Sequence, residues 1–102
     1  MISSGLTANT NEKIRSVFEH YPEIESAVLY GSRAKGNFRP GSDIDLVIKG
    51  EKLDLVTLNK ISNELDDLLL PNRIDLSIFH HIKNDKLLDH IHRVGRLFYK
   101  RI

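Results

Sequence analysis

Two short apolar runs, AVLY (27–30) and DIDLVIK (43–49), flank a glycine-punctuated loop, and this arrangement constrains the chain most. Each run reads as a strand. In the second, Ile44, Leu46 and Ile48 fall on one face, while Asp43 and Asp45 share the other. Two carboxylates that close repel each other unless something positive lies between them. The intervening residues 31–40 carry Arg33, Lys35 and Arg39 and no acid. A third run, RIDLSIF (73–79), repeats the alternation, with Ile74, Leu76 and Ile78 inward and Arg73, Asp75, Ser77 and Phe79 on the other side. If this run lies beside the second, Asp75 joins the first two acids across a strand spacing of about 4.8 Å.

Helical periodicity fills the gaps. Ile14, Val17, Phe18 and Tyr21 recur at helical spacing from Asn9 onward, with Asn9 and Glu12 as a loose capping box and Pro22 as a stop. Residues 54–69 carry the stripe Leu58, Ile61, Leu65 and Leu68. Asn84 or Asp85 caps a last helix that holds Leu87, Leu88, Ile91, Val94 and Phe98 and has a basic end, Arg93, Arg96, Lys100 and Arg101. The expected order is helix, strand, loop, strand, helix, strand, helix, an α+β fold with helices packed on a small sheet. At 102 residues the chain is expected to form a single domain, 1–102.

Composition narrows the function classes. The absence of cysteine excludes disulfides, thiolate nucleophiles and zinc–thiolate sites, and fits a reducing cytoplasm. The opening residues lack the apolar core of a signal peptide, and no run approaches the roughly 18 apolar residues of a membrane span. A net charge of +1 names no partner, and nucleic acid is not predicted.

The acids and the loop suggest phosphoryl chemistry. An isolated Asp-x-Asp is as readily a solvated strand end or an Asx turn; a third acid in phase shifts the balance toward a site for divalent ions. Hard carboxylate ligands favour Mg²⁺, with Mn²⁺ as a substitute. Gly31 directly after a strand lets backbone approach a ligand closely, Ser32 offers a hydroxyl, and Arg33 and Lys35 supply positive charge. Three familiar phosphate and metal motifs fail. Gly31 and Gly36 have P-loop spacing, but Asn37-Phe38 stands where Lys-Ser/Thr is needed; there is no G-x-G-x-x-G; the later calcium-loop ligands are missing.

Tyr30-Gly31-Ser32, ten residues, then Asp43-Ile44-Asp45-Leu46 resembles the signature of the DNA polymerase beta-type nucleotidyltransferases, and the form GSRAKG…GSDIDL resembles their minimal nucleotidyltransferase (MNT) branch. The resemblance covers essentially the whole chain and implies a polymerase beta-like fold with a mixed sheet. It implies a bound NTP, most simply ATP, and two Mg²⁺ ions. Asp43, Asp45 and Asp75 would be the catalytic, metal-binding acids, with Asp75 helping to deprotonate an acceptor hydroxyl. Gly31 and Ser32 would hold the phosphates, Arg33 would contact one, and Ser42 would buttress the acidic turn. MNT proteins resemble the antitoxins of HEPN/MNT toxin–antitoxin pairs, so the implied acceptor is a HEPN-domain partner protein, in a homo- or hetero-oligomer. Two rival expectations are an antitoxin that acts by contact alone and a small-molecule, aminoglycoside-type nucleotidyltransferase.

The histidine pairs His80-His81 and His90-x-His92 are read as surface or partly packed, because neither spacing puts both rings on one face. Gly95, inside the expected last helix, is read as a point of close packing.

Overall fold

The computed structural model describes residues 4–102. Met1, Ile2 and Ser3, part of the opening stretch and of the expected 1–102 domain, lie outside the described residues. The elements are α1 (Ala8–Glu19), β1 (Ser26–Tyr30), α2 (Gly31–Lys35), β2 (Ile44–Lys49), α3 (Leu55–Asp66), β3 (Ile74–Ile78), α4 (Asp85–Val94) and β4 (Arg96–Lys100), with a 3₁₀ turn at Phe79–His81. The sheet order is β3-β2-β1-β4. β1 runs antiparallel to β2 and to β4, while β2 and β3 are parallel, which makes the sheet mixed. No described helix is long and apolar enough to cross a membrane.

The period-2 pattern of the strands decides what covers each face. Ile44, Leu46 and Ile48 are fully buried, and with Ala27, Leu29 and Ile78 they pack against Ile14, Val17 and Phe18 of α1 and Ile61 and Leu65 of α3. The alternate residues form a smaller cluster on the opposite face: Tyr30 and Val47 bury against Ile91 of α4, with Val28, Phe79, Ile82 and Leu87 around them. Asp45 and Asp75 lie on this second face, beyond the apolar cover of α4.

Helix starts follow capping chemistry, with one shift. The side chain of Thr7, not Asn9, accepts from Thr10 N, so α1 begins at Ala8. Asp54 caps α3 through Thr57 N, and Asn84 caps α4 through Lys86 N and Leu87 N.

The last helix is shorter than its periodicity suggests. It ends at Val94; Gly95 turns into extended backbone, φ −60° and ψ 141°, and its N–H donates to Ile91 O at 2.8 Å. A side chain on Gly95 would run into the Ile91 carbonyl and Val28, so the glycine permits a close turn from α4 onto β1 rather than a helix–helix approach. Phe98 continues the i+3/i+4 stripe only by coincidence. The open edge of β1 offers hydrogen bonds to the β-prone segment Leu97-Phe98-Tyr99, and pairing with that edge wins over helix extension. Of the basic residues only Arg93 stays in the last turn of α4, while Arg96 and Lys100 lie on β4 and Arg101 follows it. Arg101 instead reaches back to the C-terminal end of α1 and donates to the carbonyls of Phe18 at 3.2 Å, Tyr21 at 2.8 Å and Ile24 at 3.1 Å. Favourable charge at a helix C-terminus is thus met twice, by Arg93 at the end of α4 and by Arg101 at the end of α1.

Candidate active site: an acid-lined sheet face beside a glycine turn

β2 and β3 bring the sequence-distant acids together. Asp45 and Asp75 are register partners across the parallel β2–β3 pair. Asp43 precedes β2 by one residue and is exposed, as is Asp75, whereas Asp45 is half-buried. The electrostatics record the crowding. Burial, then the Asp75 and Asp43 charges, push the Asp45 carboxyl up from 3.8 to about 6. Tyr30, opposite Asp45 on β1, is also shifted. Burial pushes its phenol up, the hydrogen bond with Ser77 pulls it down, and the Asp75 and Asp45 charges raise it again.

The first residues of the glycine-punctuated loop form a short helix. Gly31 opens α2 directly after β1 with φ +73°, a conformation that L side chains rarely adopt. A Cβ there would fall on the Asp45 carboxylate, so glycine is what lets the turn and the acid share this space. Ser32 is half-buried in the first turn of α2, and Lys35 is exposed at its end.

Arg33, expected to contact a phosphate, is only 2% exposed. The guanidinium is spent on the loop itself: Nη1 donates to Ser4 O at 2.8 Å and Nη2 to Ser42 O at 3.1 Å, and it stacks over the Phe38 ring at 5.0 Å. A fork of donors that meets several carbonyls at once is a task suited to arginine. Ser42 sits in the same knot. Its hydroxyl accepts from Arg39 N at 2.8 Å, and its carbonyl also accepts from Asn72 Nδ2 at 3.2 Å. Arg33, Ser42 and Asn72 thus fix the approach to Asp43, next in sequence to Ser42.

His90 is partly packed, and it faces this site. Its Nε2 accepts from Gly31 N at 3.1 Å, and its ring meets Tyr30 edge-on at 6.2 Å. The signal was present: His90 lies three residues after Leu87 and one before Ile91, on the flank of the face that α4 turns to the sheet. His80, His81 and His92 are exposed. Among the described residues, no three acids or histidines are already drawn together into a ligand group.

A mixed sheet with in-register acids on neighbouring strands and a glycine turn abutting one of them defines a nucleotidyltransferase-type domain. The chain belongs to the family described as Polymerase beta, Nucleotidyltransferase, whose model matches residues 12–102. No curated protein matches it closely enough to be counted as a relative. Among solved structures it is similar to a toxin–antitoxin complex with AMP-PNP, at 21% identity and a TM-score of 0.70, over 94% of this chain and 75% of that one. It is similar also to an MNT antitoxin in complex with a tri-AMPylated Shewanella oneidensis HEPN toxin, at 18% identity and a TM-score of 0.66, over 91% and 71% of the two chains. A third similar structure is the MntA-HepT toxin–antitoxin, at 18% identity and a TM-score of 0.67, over 93% and 74%. At such identities the likeness shows a shared fold.

Proposed function

We propose that the chain is an MNT-type nucleotidyltransferase that moves AMP from ATP to a hydroxyl of a HEPN-domain partner, acting in the cytoplasm as the antitoxin of a toxin–antitoxin pair. The observation that carries the reading is the register of Asp45 with Asp75, joined to the glycine turn that abuts Asp45. The family match and the fold shared with AMP-PNP-bound and AMPylated complexes support it.

The acids fit Mg²⁺ in donor chemistry and charge. Burial and the neighbouring Asp75 and Asp43 charges raise the proton affinity of Asp45, and a cation bound there would offset both. A complete protein ligand shell is not needed, because Mg²⁺ is commonly held by one or two carboxylates together with substrate phosphates. Asp43, Asp45 and Asp75 would hold the ions, which when bound neutralise the triphosphate and lower the pKa of a coordinated hydroxyl.

The chain's own residues do the rest. Gly31 lets the turn come close to the phosphates, and Ser32 binds them by backbone N–H and hydroxyl. Asp75 takes the proton of the incoming hydroxyl, a role supported by its exposure on an edge strand. The hydroxyl oxygen bonds to the α-phosphorus as the bond to pyrophosphate breaks, a displacement that depends on alignment and charge neutralisation rather than a strong nucleophile.

The rival reading is a contact-only antitoxin, in which the same fold binds the partner without transfer. Incubation with Mg²⁺ and ATP labelled at the α-phosphate, with a HEPN partner present, separates the two. Label on the partner that is lost in Asp43→Ala/Asp45→Ala is the expected result. Full neutralisation of the partner by that double variant, without label from wild type, would replace the transferase by the contact-only antitoxin.

A further inference from the structure

We infer that His90 is a positioning residue for the nucleotide-binding turn, acting from α4 on the Gly31 peptide. The inference rests on the nucleotidyltransferase reading and adds to it a residue from an element outside the β1–β3 framework of the motif. A backbone N–H can only donate, so the 3.1 Å contact from Gly31 N makes Nε2 of His90 the acceptor and puts the ring proton on Nδ1. The bond bridges 59 positions of sequence and links the two short helices on the acid-bearing face.

Its placement gives it a consequence for the ligand. Gly31 has φ +73°, backbone that nothing in the residue itself holds. The first N–H groups of a helix lack intrahelical partners, so an unpaired Gly31 N–H would be free to turn. With its N–H taken by His90, Gly31 is fixed, and Ser32 remains to meet a phosphate oxygen. The ring also packs edge-on against Tyr30, the register partner of Asp45 on β1. One side chain of α4 thus sets both the phosphate turn and the tyrosine beside the acids.

Two variants separate the hydrogen bond from the packing. His90→Phe keeps a ring against Tyr30 and removes the acceptor; His90→Gln keeps an acceptor and removes the ring. In ¹⁵N-labelled wild type, a scalar coupling across the hydrogen bond between Gly31 N and His90 Nε2 is expected, together with ring shifts of an Nδ1-protonated imidazole. Calorimetry with Mg²⁺ and AMP-PNP is expected to show affinity about five-fold weaker in His90→Phe, the effect of one lost hydrogen bond of ordinary strength, and within about two-fold of wild type in His90→Gln. Wild type that binds AMP-PNP alongside variants that bind it equally well overturns the role of His90 and leaves the transferase reading standing. Wild type that binds no nucleotide overturns both. Weakening in His90→Gln as severe as in His90→Phe also overturns the inference, since an acceptor at this position would then not preserve binding.

Discussion

Replacing Asp45 by Asn should stabilise the metal-free protein at neutral pH. Asp45 holds its proton up to about 6 against an ordinary 3.8, so the folded state resists its ionisation. At about 1.36 kcal/mol per pH unit, that difference bounds the cost of the folded charge at about 3 kcal/mol. The side chain is only half-buried, and solvent screening brings the expected value to about 1–2 kcal/mol. The sign follows from linkage. The folded state binds the proton more tightly than the unfolded state, so wild type loses stability as pH rises from about 3.8 through about 6, and the loss is complete above that window. Asn carries no such charge. Thermal unfolding in a chelator at pH 7.5 should show Asp45→Asn melting about 5–10 °C above wild type, with the gap closing toward pH 4. An Asn variant that is less stable than wild type at pH 7.5, or more stable by the same margin at pH 4, would refute the argument that burial and neighbouring negative charge strain the ionised Asp45.

Other expectations follow from single contacts. Arg33→Ala should cost about 2–4 kcal/mol in chemical denaturation, because it strips the Ser4 and Ser42 carbonyls of a buried donor, and Arg33→Lys should recover only part of that. Gly31→Ala should abolish Mg²⁺–AMP-PNP binding in calorimetry, since the new methyl group falls on the Asp45 carboxylate at a positive φ; unchanged binding would contradict the geometry. Arg101→Ala should lower stability by about 1–3 kcal/mol by uncapping the end of α1, without changing nucleotide affinity.

The strands that carry the acids were legible because their pattern is local and simple. Alternation in DIDLVIK and RIDLSIF fixes which side chains share a face, and the β2–β3 register realises it at Asp45 and Asp75. Helix starts were legible to within a residue or two, from caps. What was missed depends on contacts distant in sequence. β4 exists because β1 has an unpaired edge, a fact no window of residues 84–101 contains, and the stripe through Phe98 masked the break at Gly95. Arg33 looked like a phosphate ligand because a cation in a glycine loop suits one. Its burial against Ser4 and Ser42 emerges only when the loop closes on itself. His90 looked inert because the sequence spacing excluded a metal pair, while its partner, Gly31, lies at the far end of the motif.

The central claim is that Asp43, Asp45 and Asp75 hold the cations of a bound nucleotide. Crystals grown with Mn²⁺ and AMP-PNP test it most directly, through the anomalous scattering of manganese. Manganese peaks are expected within coordination distance of the carboxylates of Asp45 and Asp43, with Asp75 on the second ion and the phosphates against the Gly31–Ser32 turn. Nucleotide bound with manganese away from these three carboxylates would contradict it.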